Sequence, residues 1–186
     1  MSSELRVDKI VPTDGVPTGG GGGVIQVVSV SKRDIFTTTN GVSGSGYTPV
    51  TGLAATITPK SNTSKILVMM QLSIGRSAEH RIYMRLGRTI SGGSLDNTII
   101  IADANGSNAR NTNSFFGSGS SSMASVVTNF LDSPSTTNAV TYQPAICGNN
   151  NDGNVTAYVN RQGNSTGSII GDDVQTSSIT LMEISA

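Results

Sequence analysis

The chain has 186 residues, 35% hydrophobic and only 4% aromatic, with 12 basic and 12 acidic side chains and no formal net charge. That length suits one domain, which removes roughly 70% of its unfolded surface from water. Neutral charge without like-charge blocks argues against nucleic acid or anionic lipid as a partner, and no run approaches the roughly 20 consecutive apolar residues of a membrane span.

Residues 1–18 hold Leu5, Val7, Ile10 and Val11 on a stretch stiffened by Pro12 and Pro17, so they read as an extended arm rather than a helix. Residues 19–23 are consecutive glycines, read as a flexible linker. The arm is too short for a core of its own, and its four apolar residues are expected to dock on a larger assembly. The N-terminus lacks a signal peptide's apolar region, and the chain is expected to be soluble.

Residues 24–186 form the expected domain. Val24–Val30 is β-branched and apolar on both faces, as in a strand covered from two sides. A weak segment at Ile35–Phe36 precedes turn chemistry around Asn40–Gly41, and residues 50–58 predict one strand closed by Pro59. Ile66, Val68, Met70, Leu72 and Ile74 alternate with Leu67, Met69, Gln71 and Ser73, so one face is wholly apolar and the other grades into polar residues. Residues 80–86 repeat the pattern, with Arg81, Tyr83 and Arg85 outward.

A short strand is expected at 98–102, and residues 105–122 read as a loop in which Phe115–Phe116 plugs the end of the core. Strands follow at 123–131, 138–146, 155–160 and 178–184, the last again apolar on both faces. Strands between Gly, Pro and Asn turns, with no helical period, predict an all-β jelly-roll β-sandwich. The strands 24–30 and 178–184 are expected to pair and to turn an outer face, carried by Val28, Leu181 or their immediate neighbours, toward identical subunits.

Candidate chemistry is sparse. His80 is the single histidine, no Gly-x-Ser-x-Gly follows a parallel strand, and Cys147 has no cysteine partner. Asp152 and Asp172–Asp173 with Asn149, Asn150, Asn151 and Asn154 lack the spacing of an EF-hand and read as solvated turns. The glycine run is no phosphate loop, because no Lys-Ser/Thr pair follows. We therefore expect no catalytic residue, metal or cofactor, and no enzymatic activity.

The arm Ser3-Glu4-Leu5-Arg6-Val7-Asp8-Lys9-Ile10-Val11-Pro12 with its glycine run resembles the N-terminal segment of virion structural proteins of tailed phages, particularly those of marine bacteria and cyanobacteria. Residues 57–68, Leu131-Asp132-Ser133-Pro134, Tyr158-Val159-Asn160-Arg161 and residues 178–184 resemble the body of the same proteins; the resemblance is weakest across 90–122. It implies a trimer of jelly rolls similar to the tumour-necrosis-factor fold, with the terminal strands near the threefold axis and no catalytic residues to transfer. It further implies a virion location after assembly in the host cytoplasm, with major capsid or tail protein as partner. No repeat-built shaft separates arm and domain, which favours a capsid decoration or cement protein, or a stubby fibre. The alternative is a tail-fibre tip or adsorption protein recognising a host surface glycan through its polar loops.

Overall fold

The structure, a computed structural model, describes residues 23–41, 46–148, 155–165, 167 and 173–185. The arm and most of the linker lie outside the described residues, as do Asn149–Asn154 and Asp172. Among the described residues there is no helix. Two antiparallel sheets face each other. The first contains β1 (Val24–Lys32), β2 (Phe36–Thr38), β5 (Lys65–Arg76), β8 (Met123–Asp132), β10 (Ala157–Val159) and β11 (Ser177–Ile184). The second contains β3 (Thr48–Pro49), β4 (Ala55–Ile57), β6 (Ile82–Ile90), β7 (Asn113–Phe115) and β9 (Val140–Gly148).

The pairing is nested: β1 with β11, β3 and β4 with β9, β5 with β8, and β6 with β7. That is one long hairpin rolled so that its two halves close a sandwich, the jelly roll expected from the sequence. The expected side-by-side pairing of the first and last strands of the domain is present, with Val28 opposite Leu181.

Alternation explains the core. Ile66, Val68, Met70, Leu72 and Ile74 of β5 and Ile179 and Leu181 of β11 point inward from one sheet. They meet Ile82, Met84, Leu86, Tyr142 and Ile146 from the other, all buried. Val28 packs on the same cluster. Of the expected outer face, carried by Val28, Leu181 or their immediate neighbours, the two named residues are corrected: the register turns both toward the domain's own interior, and Leu181 is 0% exposed.

Three expected elements differ. Residues 50–58 are not one strand, because Pro49 ends β3 and a turn closes where Leu53 N–H donates to the Val50 carbonyl at 3.2 Å. Gly52 takes φ 82° there, and β4 then resumes the pairing on β9. Residues 98–102 join no sheet; Asp96 caps Thr98 instead, and Ile99 and Ile100 pack on the core from a loop. Within the expected loop 105–122, β7 pairs with Ile82–Met84, bringing Phe115 onto the core.

Buried polar nodes tie the layers together. At one end of the sandwich, Arg88 Nη1 meets both carboxylate oxygens of Asp132 at 2.9 and 2.8 Å, and the buried Tyr142 hydroxyl donates to the same carboxylate at 2.6 Å. The three come from β6, β8 and β9, so this node joins the two sheets. Toward the other end, Asn160 at φ 69° donates through Nδ2 to the Lys32 and Asp34 carbonyls and accepts from Ser177 Oγ at 2.6 Å. Within β5, position 75 is glycine because a Cβ there would stand 2.1 Å from the Arg161 carbonyl oxygen. Asp132→Ala strands a partly buried guanidinium and a buried phenol, and it is expected to lower unfolding free energy by about 3 kcal/mol, read from the urea midpoint.

Candidate functional site

The outer face of the first sheet is assembled by register alone. Val27 lies opposite Met182, Met182 opposite Leu67, and Leu67 opposite Leu131. These four side chains form a continuous apolar row across β1, β11, β5 and β8, about 14 Å wide at ordinary strand spacing. Val27 is 54% exposed and Leu131 is 49% exposed, while Leu67 and Met182 are partly buried between them.

The next row is Ser29, Thr180, Met69 and Asn129, and the one beyond it Ser31, Ser178, Gln71 and Val127. β1, β11 and β5 therefore grade from apolar at one end toward hydroxyl and amide at the other, while β8 ends on Val127, which is exposed. None of these twelve residues is charged. The apolar end is also where the N-terminal segment joins: Gly23 N–H donates to Ser185 Oγ at 3.1 Å, and Ser185 N–H donates to the Gly23 carbonyl at 3.0 Å.

Val27 and Met182 are the immediate neighbours that the sequence left open beside Val28 and Leu181, and Leu67 and Leu131 are the residues sequence reasoning missed. The signal that could have found them is the grading of Leu67, Met69, Gln71 and Ser73, which was visible before the register fixed its neighbours. The arm residues Leu5, Val7, Ile10 and Val11 lie outside the described residues.

The opposite end of the sandwich carries loops 77–81, 116–122 and 160–165. Arg76, fully buried at the end of β5, donates to the His80 and Gly119 carbonyls, and burial lowers its pKa. Its guanidinium lies 5.3 Å from the Phe115 ring centroid and 5.4 Å from that of Phe116. Phe116 is 54% exposed, and Arg81 also stands over its ring at 5.1 Å. The aromatic pair thus divides: Phe115 plugs the core and Phe116 remains at the surface.

The outward stripe Arg81, Tyr83 and Arg85 is largely occupied within the chain. Arg85 lies 4.1 Å from the Tyr47 ring centroid and donates to the Arg110 carbonyl at 2.9 Å. Tyr83 packs on a small cluster of Tyr47, Ala145 and Cys147. Cys147 is buried, and no group of three or more His, Cys, Asp or Glu side chains gathers among the described residues. His80 serves through its backbone, its N–H donating to Ala78 and its carbonyl accepting from Arg76.

No protein-family model matches the chain, and no curated protein matches it. Among solved structures it is similar to that of the infectious bursal disease virus Gt strain, over 97% of this chain and 46% of that one, at 13% identity and a TM-score of 0.45. It is also similar to the Gx strain of the same virus, over 97% and 44%, at 11% identity and a TM-score of 0.42. A third similarity is to the VP2 subviral particle of infectious bursal disease virus, over 97% and 46%, at 11% identity and a TM-score of 0.42. The chain spans less than half the length of these viral chains.

Two predictions separate the faces and the buried cluster. Val27→Ser and Leu131→Ser, on the open face, are expected to change single-domain stability by no more than about 1 kcal/mol, whereas Leu181→Ala should lower it by about 2–5 kcal/mol, both read by chemical denaturation. Burial pushes the Cys147 thiol from 9.0 up to about 12 and the Tyr47 phenol from 10.0 up to about 12. Both hold their protons more tightly folded than unfolded, so their contribution is intact below pH 9 and is lost as pH rises through about 12. Native protein at pH 8 is expected to leave Cys147 unalkylated by iodoacetamide, and unfolding should set in across that alkaline window.

Proposed function

We propose that this protein is a non-enzymatic structural component of a tailed-phage virion surface, a capsid decoration or cement protein or a stubby fibre, tied to the particle by its N-terminal arm. The observation that carries the reading is polarity along the sandwich. The uncharged apolar row lies at the end where the N-terminal segment joins, and polar loops occupy the far end. A contiguous exposed apolar face on a domain of this size marks an interaction surface. Its lack of charge lets identical copies meet without like-charge repulsion, which supports self-association through Val27, Leu67, Leu131 and Met182. The arm's resemblance to virion proteins supports a homotrimer of jelly rolls similar to the tumour-necrosis-factor fold, assembled in the host cytoplasm and docked through Leu5, Val7, Ile10 and Val11 on a major capsid or tail protein.

A second reading, adsorption to a host surface glycan, is favoured by Phe116, an exposed aromatic beside Arg81 among Ser, Gly and Asn loops at the far end. Copy number per virion separates the two. Hundreds of copies accord with decoration, while a handful at the tail, together with glycan-array binding lost in Phe116→Ala, accords with adsorption.

Two variants test the structural reading. Deleting residues 2–18 is expected to leave a folded trimer that no longer joins the virion, and retained incorporation overturns the anchor. Leu67→Glu is expected to leave a folded chain that sediments as a monomer, and an unchanged trimer mass overturns the proposed face.

A further inference from the structure

β1 is an edge strand. It pairs with β11 on one side, and among the described residues no strand lies on the other. Natural edges are blunted by charge, proline, bulges or brevity. β1 has nine residues and no proline. Its one register shift falls at its start, between Val24 and Gln26, leaving Gln26–Lys32 regular. Its one charged side chain, Lys32, is itself buried and paired with Asp34 at 2.6 Å. Alternate residues of the regular run Gln26–Lys32 thus turn backbone groups to a side that no strand covers among the described residues, along an edge rich in valine.

The same chain holds a segment suited to that edge. Leu5–Val11 is seven residues long, about 23 Å when extended, which matches the regular run of β1. Pro12 ends it where a further donor would be lacking. Leu5, Val7 and Val11 share one face with Lys9, and Arg6, Asp8 and Ile10 share the other. Residues 12–23 lie between this segment and β1, far more than the few residues a hairpin reversal needs, and they include the five glycines. The mutual hydrogen bonds of Gly23 and Ser185 fix the point of departure at the edge itself.

We propose that in the free protein Leu5–Val11 adds to β1 of its own chain as an antiparallel strand, becoming the outermost strand of the first sheet. With Val11 laid opposite Gln26 and Leu5 opposite Lys32, Ile10 falls opposite Val27 and extends that apolar face, with Asp8 and Arg6 beside Ser29 and Ser31, while Leu5, Val7 and Lys9 line the sandwich's margin beside Lys32, Val30 and Val28. Pairing within the chain is favoured because a short flexible linker holds the segment at an effective concentration on the order of millimolar. Nothing in this pairing requires a virion, so it goes beyond the anchoring reading and fails or stands separately from it.

Amide hydrogen exchange on the full chain tests it. Peptides from residues 24–32 are expected to exchange roughly tenfold more slowly in the full chain than after deletion of residues 2–11. Val7→Pro, which leaves the domain untouched, should give the deletion profile. Equal exchange in full chain and deletion overturns the proposal, as does full protection in Val7→Pro. Protection that grows with protein concentration, alongside a growing sedimentation mass, places the segment on a second copy and overturns the intrachain pairing. Virion incorporation is a separate readout and does not move with these outcomes.

Discussion

The strand Lys65–Arg76 has to be satisfied on four sides at once, and the rest of the domain is arranged around that requirement. Along one edge β8 pairs with it from Ile66 to Gly75; along the other, β11 covers Lys65–Gln71 and β10 covers Ile74–Arg76. Its inner side chains anchor the core from Ile66 to Ile74. A twelve-residue strand is longer than most, and one partner does not span its second edge. The split between β11 and β10 leaves Leu72 and Ser73 between them, and Ser177 and Asn160 fill the gap at Ser73. Ser73 N–H donates to Ser177 Oγ at 3.0 Å, and the Ser73 carbonyl accepts from Asn160 N–H at 2.9 Å. The Asn160 node is a consequence of that junction.

The chain has one cysteine, so no intrachain disulfide pins its loops. Buried polar groups do so instead, each shaped to its task. Asp132 uses both carboxylate oxygens to hold two sheets together, and Arg76 spreads its donors over the carbonyls of two loops. Glu183, fully buried, accepts from Gln26 Nε2 and from the Lys60 N–H, closing the loop after β4 onto β11. Such groups add directionality that an apolar core does not supply, because leaving any one unpaired carries a desolvation penalty.

What could be read from the residues follows the same division. Alternation is a local property, so β5, β6, β8, β9 and β11 were legible, as was the meeting of the first and last strands. Short elements whose pairing depends on distant partners were not. β7 is three residues inside a Ser, Asn and Gly stretch, and only Phe115 hinted at its contact with the core. Residues 98–102 look like a strand because Ile99, Ile100 and Ile101 are apolar, yet Asp96 draws the backbone into a cap. Val28 and Leu181 show the limit most clearly. Two strands apolar on both faces reveal that an outer face exists, but a one-residue step in register decides which side chains occupy it.

Among the described residues, one end and one edge of the first sheet combine an apolar row with an open backbone edge. The apolar row across β1, β11, β5 and β8, the open backbone edge of β1, and the point where Gly23 leads into the fold all lie together. The opposite end closes its polar groups locally, through Arg76, Asn160 and the loops they hold. A sandwich that had to stand alone would gain by spreading or charging that edge, since an uncharged strand edge beside an apolar face invites uncontrolled pairing. Here the open edge of β1, the apolar row and Gly23 lie side by side instead.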